Sequence, residues 1–147
     1  MISKRITSFI LVLVQFSCIG YFLFTARLHF FSYFTYVLLL IALALGVYAI
    51  ICMQWKNFSV MPEPKNNSIF IRKGPYQFIR HPMYTSVLLF CASFVIANFN
   101  YANIGIYCIL TVDLIIKIKR EEKYLLQQFP QYANYCMQTK QLIPFIW

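Results

Sequence analysis

Eleven consecutive residues, Gly74-Pro75-Tyr76-Gln77-Phe78-Ile79-Arg80-His81-Pro82-Met83-Tyr84, gather cationic, imidazole and phenolic groups between a basic loop and a long uncharged segment. Ionisable groups at the edge of hydrocarbon are costly and mark function. Pro82 reads as the first-turn proline of a helix, where a missing N–H is harmless. His81 and Tyr84 are three apart and share a face of that helix. A helix start offers unpaired N–H groups and positive potential, a seat for a carboxylate. Tyr76 and Tyr84 add aromatic faces that attract a cation. The competing reading is an interfacial belt, with Arg80 on lipid phosphate and the tyrosines as anchors.

A second group lies further along. Asp113, Lys117 and Glu121 recur every four residues and stack on one face if their helix is continuous. Glu121 can accept hydrogen bonds from hydroxyl or amino groups. Lys117 can hold an anion, and Asp113 can orient it from the membrane side. Glu122 matters less if it points to solvent. The same spacing also describes an exposed salt-bridge ladder worth a few tenths of a kcal/mol per pair.

These residues belong to a membrane chain. Of 147 residues, 61% are hydrophobic and 12% charged, about half the charged fraction of a soluble domain. Five scattered cysteines form no Cys-x-x-Cys pair, and His29 and His81 are far apart, so neither a disulfide framework nor a metal site is expected. The net charge of +9 is distributed by loop rather than in a nucleic-acid-binding patch. Lys4 and Arg5 precede the first apolar run, and Lys56, Lys65, Arg72, Lys73 and Arg80 come after the second. Lys117, Lys119, Arg120, Lys123 and Lys140 come after the fourth. This alternation places both termini and the central loop in the cytoplasm.

The expected fold is therefore an all-α integral membrane protein of one domain, residues 1–147. Residues 1–55 hold two spans, Ile6–Ala26 and Phe34–Trp55. A polar connection, Lys56–Lys73, contains Pro62 and Pro64. Met83–Ala97 and Tyr101–Ile116 form a helical hairpin turning at Asn98, Asn100 and Asn103, with arms short for a full crossing. The fold thus has about four membrane-embedded helices. A short charged cytoplasmic helix, Lys119–Gln128, carries an apolar stripe over Leu125, Phe129, Tyr132 and Cys136. Pro130 breaks or kinks it. The apolar tail from Leu142 tucks against bilayer or protein.

Two blocks carry a resemblance. Ser68-Ile69-Phe70-Ile71-Arg72-Lys73-Gly74-Pro75-Tyr76 leads into Arg80-His81-Pro82-Met83-Tyr84. Lys117-Ile118-Lys119-Arg120-Glu121-Glu122-Lys123-Tyr124-Leu125 leads into Phe129, Tyr132, Tyr135 and Leu142-Ile143-Pro144. In order and spacing they resemble the isoprenylcysteine carboxyl methyltransferase family of integral-membrane enzymes, over Ser68 to Ile146. Before Ser68 the likeness extends only to being membrane-spanning.

The resemblance implies methyl transfer from S-adenosylmethionine, without metal, to a lipophilic acceptor: a prenylated cysteine, a phospholipid or another lipid-soluble molecule. It implies a cofactor pocket in residues 56–147, built from Ser68, Ile69, Phe70, Ile71, Tyr76, His81, Pro82, Met83, Tyr84 and Glu121. Four residues before that glutamate the family has an arginine that meets the acceptor carboxylate; here Lys117 keeps the charge without the bidentate fork. Ser86 and Pro130 stand where glycine is usual. A carboxylate acceptor needs no base; an amine or thiol would, with His81 the first candidate. The pocket is expected to face the cytoplasm from a bacterial inner membrane or the endoplasmic reticulum. The competing functions are a phospholipid amine or thiol methyltransferase, an NADPH-dependent sterol-type membrane reductase, and a non-catalytic membrane assembly or lipid-binding protein.

Overall fold

The computed structural model describes residues 2–27, 29, 31–57 and 69–144. Ser68 and most of the polar connection lie outside these residues. The described elements are five α-helices: α1 (Ile2–Phe24), α2 (Tyr33–Asn57), α3 (Pro82–Ala97), α4 (Tyr101–Gln128) and α5 (Tyr132–Gln138), with a 3-10 turn at Gly74–Gln77. Their apolar content and lack of internal proline favour helix, and in lipid a helix satisfies its own backbone. Ile6–Phe24, Tyr33–Met53 and Tyr101–Gln128 are long and apolar enough to cross a bilayer. The 16 residues of α3 reach only about 24 Å and fall short of the ~30 Å hydrocarbon core. Large side chains such as Phe9, Leu13, Leu40, Val47, Ile109 and Val112 point outward. That surface suits lipid, and the chain is a multi-pass membrane protein.

The expected break after Ile116 does not occur. Between Ile116 and Gln128 there is no glycine or proline, and lysine, arginine, glutamate and leucine all favour helix. One 28-residue helix runs through, so the charged segment is the far end of α4. Pro130 does end it. Phe129, before the proline, is extended at φ −125°, ψ 104°. Tyr132 and Tyr135 are buried in the separate helix α5, rather than on a continuous stripe with Leu125.

α2 packs most extensively on α3, and α1 on α4. Cys18, Phe22, Cys91, Phe94, Leu110 and Leu114 form the shared core. The hairpin turn is held by amides. The Asn100 side chain caps α4 by accepting from Asn103 N at 2.9 Å, and Asn103 donates to Asn98 O at 2.6 Å. Tyr21 Oη donates to Asn103 Oδ1 at 3.1 Å, tying α1 to that end.

At the opposite end, Gly74 has φ +57°, and a Cβ there would lie 2.5 Å from Cys52 Sγ on α2. Only glycine lets the turn adopt this conformation against α2. Ser86 also has a local explanation. Its Oγ donates to Ala42 O on α2 at 2.7 Å, and Gly46 leaves the space for it.

Candidate active site

The turn before α3 is fixed by the C-terminal tail. Arg80 N donates to Lys140 O at 2.8 Å and His81 N to Gln141 O at 3.1 Å, while Lys140 N donates to Phe78 O at 3.2 Å. Thr85 Oγ1 donates to Leu142 O at 2.8 Å. Leu142 is buried, so the tail packs on protein here. Tyr135 Oη on α5 donates to Tyr76 O. These bonds hold Tyr76 to Tyr84 against α5 and the tail.

A carboxylate on α4 anchors the arrangement. Glu122 accepts from Arg80 Nε at 2.6 Å and Gln141 Nε2 at 2.9 Å, and lies 3.3 Å from His81 Nε2. Its side chain is 16% exposed and that of Arg80 10%. Glu122 therefore does not point to solvent. Arg80 also donates through Nη1 to the Cys136 and Thr139 carbonyls beside the end of α5. It is committed to protein acceptors rather than lipid phosphate.

Beside this anchor opens a cleft of about 220 Å³, somewhat below the roughly 300–1,000 Å³ usual for small-molecule sites. Tyr76, Arg80, His81, Tyr84, Glu121 and Gln15 give it polar lining. Phe16, Ile19, Met53, Met83 and Val87 give it apolar lining. Glu121 Oε2 accepts from Tyr84 Oη at 3.0 Å and lies 3.6 Å from His81 Nδ1. The imidazole stacks on the Tyr84 ring, centroids 5.6 Å apart and planes 17° apart. Both ring nitrogens of His81 thus face carboxylates. Tyr76 Oη is buried with no hydrogen-bond partner among the described residues. Burial, reinforced by the nearby Glu121 carboxylate, pushes this phenol above its ordinary range and keeps it a neutral donor.

Lys117 is fully buried behind the cleft. Its ammonium donates to Gln15 Oε1 on α1 and lies 5.9 Å from the centroid of the Tyr84 ring. Gln15 and Tyr84 both line the cleft. The Asp113 oxygens, one turn away on α4, are buried and have no hydrogen-bond partner among the described residues. The hydrogen bond of Lys117 goes instead to the amide oxygen that α1 places opposite it.

The other residues named from the sequence divide differently. Pro82 is the buried first residue of α3. Phe70 packs edge-on against Tyr132 and Tyr135, centroids 6.0 Å and 5.2 Å away, and supports the turn from behind. Ile69 is 64% exposed, and neither it, Phe70 nor Ile71 lines this cleft. Among the described residues, no three His, Cys, Asp or Glu side chains gather as a metal site. Gln15 carried no signal in the sequence, being one amide in an apolar span. In retrospect its polarity mid-helix was the clue.

The sequence profile of the isoprenylcysteine carboxyl methyltransferase (ICMT) family matches residues 33–127. The match begins at α2, well before the two blocks, and includes Tyr76, Arg80 to Tyr84, Lys117, Glu121 and Glu122. No curated protein matches the sequence. Among solved structures, the eukaryotic intramembrane Ras methyltransferase ICMT (isoprenylcysteine carboxyl methyltransferase), without a monobody, shares the fold. The TM-score is 0.64 at 23% identity, covering 97% of this chain and 51% of that one. The chain spans about half the length of that protein.

Proposed function

The chain belongs to the isoprenylcysteine carboxyl methyltransferase family, and on that premise we propose that it transfers a methyl group from S-adenosylmethionine to the carboxylate of a lipid-soluble acceptor of the prenylcysteine kind. The observation that carries the reading is the mixed lining of the cleft, in which the Glu121 carboxylate and the Tyr76 and Tyr84 phenols meet apolar side chains such as Phe16, Ile19 and Val87. The donor set fits the cofactor. Glu121 offers a carboxylate to hydroxyl or amino donors, and the orphaned Tyr76 Oη supplies a buried donor in need of an acceptor. The Tyr76 and Tyr84 rings suit a sulfonium cation. Bound there, S-adenosylmethionine supplies a methyl group that forms a bond to the acceptor oxygen as its bond to sulfur breaks, the electron pair passing to sulfur.

The remaining work is orientation, which can lower a barrier by roughly 7–11 kcal/mol. Glu122 and Arg80 hold the turn that carries Tyr76 and Tyr84. Met83 and Val87 contribute to the apolar lining. Lys117 supplies positive charge near the acceptor anion. His81 acts here as a brace between Glu121 and Glu122. A carboxylate acceptor releases no proton and leaves His81 in that position, whereas an amine would need a base freed from both carboxylates. The lysine and arginine residues flanking the cleft support a cytoplasmic mouth, and the apolar lining supports an acceptor arriving from the bilayer.

Titration calorimetry of the detergent-solubilised protein tests the donor. S-adenosylmethionine is expected to bind and NADPH to give no heat; the opposite result removes the proposal. Transfer of label from S-adenosylmethionine to an N-acetylated S-prenylcysteine, and none to phosphatidylethanolamine, is the expected acceptor result.

A further inference from the structure

The buried lysine raises a problem for anion binding. Lys117 is 0% exposed and does not line the cleft, so its ammonium meets no ligand directly in this arrangement. Gln15 stands between them. An ammonium has donors only, so the amide atom that contacts it must be the carbonyl oxygen. That fixes the amide orientation. The NH₂ end is the other half of the group, and Gln15 is a lining residue of the cleft. Among the described residues no acceptor for Gln15 Nε2 is found. Tyr84 flanks the same lysine with its ring face and also lines the cleft.

Resting on the function proposed above, we propose that Gln15 is a specificity-determining residue that meets the acceptor carboxylate with its NH₂ group and relays to it the positive charge of Lys117. An amide whose oxygen is held on a cation is polarised and donates more strongly. The pair thus presents charge and a directed N–H donor together. An arginine would combine both in one guanidinium. Lysine at 117 loses the fork, and the glutamine on α1 restores a planar donor in front of it. Residue 15 lies outside the family-matched segment, and its role comes from α1–α4 packing.

The test uses the full chain in detergent, with S-adenosylmethionine and an N-acetylated S-prenylcysteine as probes. Gln15→Leu is expected to raise the acceptor KM tenfold or more while the calorimetric Kd for S-adenosylmethionine stays within twofold. Gln15→Glu keeps the size and pairs with Lys117 but presents a carboxylate to the acceptor, and is expected to raise KM further. Adding Lys117→Arg to Gln15→Leu is expected to restore KM to within about threefold of wild type, because the guanidinium carries its own donors. A merely structural glutamine would give no such rescue. If Gln15→Leu fails to fold, Gln15→Glu and its cofactor affinity carry the test. Wild-type acceptor KM in Gln15→Glu, with the wild-type chain active, overturns the inference and leaves the methyltransferase reading standing. A wild-type chain that binds no S-adenosylmethionine, or methylates phosphatidylethanolamine instead of the carboxylate, removes both.

Discussion

Replacing Glu122 by glutamine keeps the shape of the side chain and removes its charge. The carboxylate has Arg80 and His81 on one oxygen and Gln141 on the other. An amide has one acceptor oxygen. If that oxygen stays on Arg80, its NH₂ turns toward the Gln141 NH₂, donor against donor. The Arg80 bond also becomes charged-to-neutral. A hydrogen bond to a charged group contributes about 1.5–3 kcal/mol and a neutral one about 0.5–1.5, so roughly 1–2 kcal/mol is lost there. Breaking a buried pair outright costs about 3–5 kcal/mol, which sets the ceiling. The side chains of Arg80 and Glu122 are 10% and 16% exposed, so solvent screens little of the loss. The expected destabilisation is about 2–4 kcal/mol, or a fall in Tm of roughly 5–15 °C at ~2–4 °C per kcal/mol. Thermal unfolding in detergent measures it, with Glu121→Gln as comparison. Glu121 is the more exposed of the two at 24% and accepts one phenolic bond, so its Tm is expected to move less. A Glu122→Gln variant melting within 2 °C of wild type would refute the anchoring role of Glu122.

The cofactor side of the cleft gives the reverse ranking. Glu121→Gln is expected to weaken S-adenosylmethionine binding by roughly 10- to 150-fold, the equivalent of about 1.5–3 kcal/mol, with calorimetry as the measurement. Tyr76→Phe removes a buried hydroxyl that has no partner among the described residues; Tm should hold or rise while cofactor affinity falls, and unchanged affinity would remove the hydroxyl from the binding set. Gly74→Ala forces a side chain into a left-handed backbone 2.5 Å from Cys52 Sγ; the backbone strain alone is about 1–2 kcal/mol, and a clear fall in Tm is expected. For orientation, cysteines introduced at Gln77 and Tyr101, in a background freed of the five natural cysteines, should label from opposite sides of the membrane, with position 77 protected in intact cells. Labelling of position 77 from outside would invert the topology.

The spans, the hairpin and the first-turn proline were legible because each rests on local chemistry. Apolar length marks a crossing, Pro82 can only begin a helix, and the asparagines around position 100 cap the helix that starts at Tyr101. The extent of α4 was misread because a change from apolar to charged residues alters the solvent, not the helix; the backbone continues until Pro130 forces Phe129 to extend. The ladder of Asp113, Lys117 and Glu121 does lie along one continuous helix, but its partners were not legible for a different reason. Spacing on one helix places side chains on one face but says nothing about what the neighbouring helix brings. Gln15 comes from 102 residues earlier in the chain and takes the lysine. Phe70 likewise reads as a pocket residue from its block, yet it supports the turn through Tyr132 and Tyr135.

The adjacent acids Glu121 and Glu122 show how one helix end serves two purposes. Consecutive helical residues point about 100° apart, so neighbours in sequence diverge toward different surroundings. Glu122 turns toward Arg80 and the tail, where Arg80 and Gln141 donate to it and the His81 ring lies within 3.3 Å. Glu121 turns into the cleft, where the Tyr84 hydroxyl is its one hydrogen-bonded protein donor among the described residues. The difference in satisfaction is the functional content. A carboxylate that is fully bonded holds structure, whereas one with lone pairs open to a cleft remains available to a ligand. His81 sits between them, one ring nitrogen toward each acid, so a rotation that released Glu121 to a ligand would leave the Glu122 contact in place. The frame around Arg80 can therefore stay fixed while Glu121 exchanges partners, as the proposed function requires.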